Sequence, residues 1–112
     1  MALIHQFQRM TMTVATQLVI RGYIPTGTWV IEHLELGAVI STGSASVQIS
    51  VMREGNATKL RDGSVDANFP TANNVSWDGQ ITVEYGDVIV ANITNGTAGD
   101  VYELDTFMRR VA

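Results

Sequence analysis

Three observations predict an all-β domain, a two-sheet sandwich or barrel of about eight antiparallel strands. Short runs rich in β-branched residues alternate internally with a period of two. Gly, Asn, Asp and Pro punctuation separates them at a spacing of roughly 10 residues. The clearest instance is 76–100, SWDGQITVEYGDVIVANITNGTAGD, in which the runs 80–85 and 88–93 meet at Gly86-Asp87.

The totals bound the rest. A chain of 112 residues is one domain and buries roughly two-thirds of the surface that its unfolded form exposes. It has no cysteine, which excludes a thiol nucleophile, a cysteine-bound metal and a disulfide-built scaffold. The net charge is −4, and only Arg109-Arg110 are adjacent cations, close to Glu103 and Asp105. With no basic patch to neutralise phosphates, nucleic acid is not expected as a partner. Nor is a membrane: no apolar run approaches the roughly 20 residues of a spanning helix. The start, MALIHQFQRM, lacks the charged region and apolar run of a signal peptide. Asn56, Asn74, Asn92 and Asn95 open N-x-Ser/Thr triplets. Without a signal segment they read as asparagine-rich turns meeting threonine-rich strands.

In order, 1–12 reads as an extended arm or a first strand, and 13–112 as the sandwich. Leu3, His5, Phe7 and Arg9 alternate with Ile4, Gln6 and Gln8, and Met10, Met12 and Val14 share one phase. The region before Gly22 is either one bent strand or an arm followed by a strand. Such an arm can pair with a neighbouring chain's sheet edge or simply begin its own sheet. A Pro25-Thr26-Gly27 turn leads into 29–36, where a phase slip near Glu32-His33 puts Trp29, Ile31, Leu34 and Leu36 on one face. A β-bulge produces such a slip, and a helix over 30–36 competes. The stretch 41–46 is a small-residue loop. Val47, Ile49 and Val51 face inward on the next strand, and a brief polar strand at 58–60 ends at Asp62-Gly63. Residues 64–74 show little periodicity, with Phe69 expected to plug one end of the sandwich.

Gly86-Asp87 is either a two-residue hairpin or a corner at which the chain changes sheet. The near-continuous apolar run 88–93 suits a central strand, which favours the corner. The last segment, 101–111, is long enough to lie between two partners.

No catalytic or metal-binding residues emerge, and no cofactor is implied. His5 and His33 are isolated. Glu32 and His33, adjacent on a strand, point to opposite faces, and Glu35 alone shares the phase of His33. Two ligands do not make a metal site. There is no Gly-x-Ser-x-Gly elbow and no phosphate-cradling loop, so an enzyme is not expected. Trp29, Trp77, Phe69 and Tyr23 could form a sugar-stacking platform, although so few aromatics are also needed by the core.

The segment 77–91, followed by an Asn/Gly-rich loop and a long last strand, resembles the C-terminal third of small jelly rolls. Tumour necrosis factor-like and complement-type trimeric domains share its strand, Gly-Asp corner, strand grammar. So do the jelly-roll decoration (cement) proteins of tailed-bacteriophage heads, which it resembles more in length and in its lack of cysteine. That resemblance implies a virion structural protein that binds the major capsid protein on the capsid exterior after synthesis in the host cytoplasm. It also implies a homotrimer, or alternatively a homodimer. The interface expected on this reading comprises Leu3, Ile4, Phe7 and Met10 of the arm with Ile89, Ala91 and Ile93 of the 88–93 strand. A carbohydrate- or receptor-binding module of a phage tail or fibre is the alternative.

Overall fold

A computed structural model describes residues 3–66 and 73–112 of the chain. Eight strands run β1 (Leu3–Thr11), β2 (Gln17–Tyr23), β3 (Thr28–Ile40), β4 (Ser44–Arg53), β5 (Asn56–Asp66), β6 (Asn74–Glu84), β7 (Val88–Thr94) and β8 (Val101–Arg110). They form two four-stranded antiparallel sheets, of order β1-β8-β3-β6 and β2-β7-β4-β5. Among consecutive strands only β4 and β5 pair with each other; every other step changes sheet. That is the strand order of a jelly roll.

The β4–β5 hairpin follows from its two central residues. Glu54 and Gly55, at φ 52° and 82°, are the two central residues between the Arg53–Asn56 pair. Two positive φ values in a two-residue loop match the right-handed twist of the flanking strands. By contrast, Gly86-Asp87 carries the chain from β6 in one sheet to β7 in the other: it is a corner, with Gly86 at φ 100°. β7 accordingly lies between β2 and β4, and β8 between β1 and β3.

The phase slip in β3 is a bulge. Pairing to both β6 and β8 shifts register between Ile31 and His33, and Trp29, Ile31, Leu34 and Leu36 are all buried. The 30–36 segment is therefore strand and not helix. One open alternative is decided, for an arm followed by a strand, and one boundary differs from expectation. The 10–20 region is two strands in different sheets: the chain turns over at Met12, which is fully buried while Met10 and Val14 are exposed. Its amide donates to the Asp100 carbonyl at 2.8 Å and its carbonyl accepts from Gly99 at 2.7 Å. The polar strand at 58–60 is the middle of β5, which runs through Asp62-Gly63 to Asp66. Gly63 is there for proximity, since an added Cβ would lie 2.8 Å from two carbons of buried Val75. Phe69 falls outside the described residues.

Between the sheets lies one apolar core, to which each sheet contributes alternate residues. Ile20, Ile49, Ile89 and Ile93 enter from one side, and Ile31, Leu34, Leu104 and Met108 from the other. Each such side chain contributes roughly 1.5–3 kcal/mol by leaving water.

Candidate functional site

One strand breaks the inward-apolar rule. On β1, Leu3 and Phe7 point outward, 75% and 61% exposed, while the half-buried Gln6 and Gln8 point inward. Gln6 lies opposite fully buried Thr106 of β8, and Gln6 Oε1, Gln8 Oε1 and Thr106 Oγ1 have no hydrogen-bond partner. An edge strand that served only its own core would be patterned the other way round.

The outward residues of β1 continue across the sheet. One rung runs His5, Phe107, His33, Asp78 through β1, β8, β3 and β6, and the next runs Phe7, Asp105, Glu35, Ser76. The His5 imidazole stacks on the Phe107 ring at 4.2 Å, nearly parallel to it, and His33 tilts against the same ring at 5.5 Å. His5 Nε2 lies 2.7 Å from Asp105 Oδ1. His33 Nδ1 lies 2.6 Å from Asp78 Oδ1, and its Nε2 lies 3.4 Å from Glu35 Oε2. Only an imidazolium donates through both nitrogens. Partial burial pushes the His33 pKa down, but the Asp78 and Glu35 carboxylates more than offset this, and the net shift is upward.

Arginines flank these rungs. Arg9 bonds Glu103 at 2.9 and 3.1 Å, and Arg109 meets Glu32 at 2.7 Å. At the Leu3 end, a groove of about 420 Å³ is lined by Leu3, Ile4, His5, Glu32, Phe107 and Met108. Neither histidine is isolated in space, then, and Phe107 joins them. The signal was register: β8 sits between β1 and β3, so residues far apart in sequence share a rung.

The expected interface residues divide. Leu3, Phe7 and Met10 are exposed, and Ile4 packs against the core while lining the groove. Ile89, Ala91 and Ile93 have no exposed surface at all. They form the inward phase of β7, and a side chain already taken by its own core is not free for a partner. The outward phase of β7 is Val88, Val90, Asn92 and Thr94, with Tyr23 and Met52 on either side of Val88.

Among the described residues, Trp29, Trp77 and Tyr23 do not converge on a sugar platform. Trp29 is buried beneath Arg110, Trp77 packs on the core, and Tyr23 is exposed on the other sheet. Among the described residues, no three or more His, Asp or Glu side chains are grouped to hold a metal ion.

No family model matches the chain, and no curated protein matches its sequence. Solved structures match its fold. A chain in the acidic stable capsid structure of Helicobacter pylori bacteriophage KHP30 is similar at TM-score 0.53 and 16% identity, over 92% of each chain. Murine APRIL is similar at TM-score 0.46 and 15% identity, over 95% of this chain and 99% of that one. TmCBM61, solved in complex with beta-1,4-galactotriose, gives TM-score 0.34 and 14% identity, over 92% of this chain and 69% of that one. The class of protein is thus a small jelly roll, and its fold is shared with a bacteriophage capsid structure.

Proposed function

We propose that this chain is a non-enzymatic structural protein of a virion, a decoration or cement protein bound to the exterior of the assembled head. The observation that carries the reading is the outward apolar strip Leu3, Phe7 and Phe107 on the β1-β8-β3-β6 sheet. A chain that buries its core this well and still exposes such a strip beside a groove has a partner for it. A ligand that binds only the assembled lattice stabilises that lattice by its binding free energy, and many copies multiply the effect. On this reading the protein is made in the host cytoplasm and acts as a homotrimer that repeats one contact about a closed axis. The fold likeness to the KHP30 capsid chain is compatible with the reading and carries no residue across.

The test is co-sedimentation of purified protein with assembled, undecorated heads. The unchanged chain is expected to sediment with them and to raise their melting temperature, and Leu3→Ser/Phe7→Ser to fold but stay in the supernatant. A folded wild-type chain that ignores heads overturns the reading. Sedimentation equilibrium checks the trimer.

One observation favours a sugar-binding module instead. The outer face of the other sheet has a shallow groove lined by Ser46, Gln48, Asp62, Asn92 and Thr94. Gln17 Nε2 donates to Asn92 at 3.0 Å, and Gln48 Nε2 to Asp62 at 3.2 Å. Glycan binding lost on Asn92→Ala/Gln48→Ala would favour this reading.

A further inference from the structure

The outer face of the β1-β8-β3-β6 sheet is apolar and acidic together. Glu32, Glu35, Asp78, Glu103 and Asp105 stand on its central rungs or in the β3 bulge against Arg9 and Arg109. That leaves −3 of the chain's net −4 on this half of one face, with Glu84 at the far end of β6. The two arginines are engaged by Glu103 and Glu32. Glu35 and Asp105, directly opposite each other across β3 and β8, have among the described residues His33 and His5 as their side-chain hydrogen-bonding partners. Like charges directly opposite on neighbouring strands repel, and among the described residues neither carboxylate forms an ion pair with a lysine or an arginine. Beside them lie the exposed rings of Phe7 and Phe107.

We infer that this face docks a basic, arginine-bearing protein surface, and that His33 weakens the contact as it takes up a proton. A guanidinium stacks on an aromatic face and pairs with carboxylates through a planar fork, which a lysine ammonium does not. Phe7 supplies the exposed ring, Phe107, held between His5 and His33, supplies apolar ground beside it, and Asp105 and Glu35 supply the acceptors. His33 faces Glu35 on its own strand, Asp78 on β6, and, across the Phe107 ring of β8, His5 on β1. In the neutral imidazole form these carboxylates keep their full charge for a partner. In the imidazolium form His33 engages Asp78 and Glu35, and the face loses one unit of negative charge. The inference deepens the proposed attachment by naming the chemistry of the partner surface, but its test does not use heads.

The probe is a hexa-arginine peptide titrated into the purified chain, followed by amide chemical shifts and calorimetry at low salt. Binding is expected at pH 8, with shifts centred on Phe7, Glu35, Asp105 and Phe107. Glu35→Gln and Asp105→Asn should each weaken it by roughly threefold, and a change from pH 8 to pH 5.5 by at least as much, as removing one exposed ion pair does. His33→Gln should bind at pH 8 and lose part of that pH dependence, His5 remaining beside Asp105, while the bound peptide lowers the imidazole pKa of His33 in the unchanged chain. Shifts confined to the other sheet, an affinity indifferent to both carboxylates, or an unaltered pH response in His33→Gln overturns the inference. Peptide binding with no head binding would leave this inference standing and remove the capsid reading; head binding without peptide binding would do the reverse.

Discussion

The guanidinium of Arg53 closes on the carboxylate of Asp87 through three hydrogen bonds of 2.7, 3.0 and 3.2 Å. Arg53 ends β4, and Asp87 sits in the corner that carries the chain from β6 to β7. Asp87 is 5% exposed and also accepts from the Glu84 amide at 2.8 Å, while its own amide donates to the Glu84 carbonyl at 2.9 Å. One buried carboxylate thus fixes the corner and ties it to the end of the hairpin strand. Asp87→Ala leaves the Glu84 amide without its acceptor and is expected to cost about 2 kcal/mol.

The same pair sets an acid limit. The Arg53 hydrogen bonds, with help from the Glu84 amide, hold the Asp87 pKa below its usual value despite burial. A depressed carboxylate pKa contributes stability that is present above the unfolded value, near 3.8. That contribution is lost as pH falls through the folded value. Melting temperatures of the wild type and Asp87→Asn should therefore differ by a constant amount from pH 5 to 8 and converge below about pH 4. A gap that does not narrow at all as the pH falls below 4 would show that geometry, and not charge, holds the corner.

Two glycines should fail for different reasons. Gly63→Ala pushes a methyl into Val75, a stiff β-branched side chain that is 3% exposed. Such overpacking costs about 1–3 kcal/mol, and part of it should return in Gly63→Ala/Val75→Ala. Gly86 has open space around its Cβ position but sits at φ 100°. Gly86→Ala is expected to cost on the order of 1 kcal/mol or more, with no rescue from trimming any neighbour. Urea denaturation of the three variants separates the cases.

What the sequence disclosed and what it concealed follow from one distinction, whether the signal is local. The β3 bulge was legible because Ile31 and Leu34 are three apart, where an unbroken strand would put them on opposite faces. The corner was legible because the run from Val88 to Ile93 is too apolar for an edge. β5 was read short because Asp62-Gly63 looks like a turn, although Gly63 is present to make room for Val75. The direction of β7 was misjudged: alternation shows two phases but not which one meets the opposing sheet. The His5–Phe107–His33–Asp78 rung could not be read at all, since it exists only once β8 lies between β1 and β3.

Trp29 tests the aromatic platform directly. It is 5% exposed, donates from Nε1 to the Thr26 carbonyl at 3.4 Å and lies under the Arg110 guanidinium. Trp29→Ala is expected to cost about 3–5 kcal/mol through the cavity it leaves, and to lower the melting temperature sharply. If it instead abolished binding to an immobilised glycan while leaving the melting temperature unchanged, the ring would belong to a binding surface.

His33 gives the opposite pH signature to Asp87. Its folded pKa lies above the unfolded value of 6.5, because the gain from Asp78 and Glu35 exceeds the loss from burial. A raised imidazole pKa contributes stability that is fully present below pH 6.5 and disappears as pH rises through the folded value. The β1-β8-β3-β6 sheet should therefore be firmer at pH 5.5 than at pH 8. The magnitude is modest, on the order of 0.5 kcal/mol, since the His33 side chain is 30% exposed and that of Asp78 is 79% exposed. Denaturant midpoints of the wild type and His33→Gln should diverge toward pH 5.5 and approach each other toward pH 8. Divergence in the alkaline direction would mean that burial of the neutral ring, and not its two carboxylates, governs this rung.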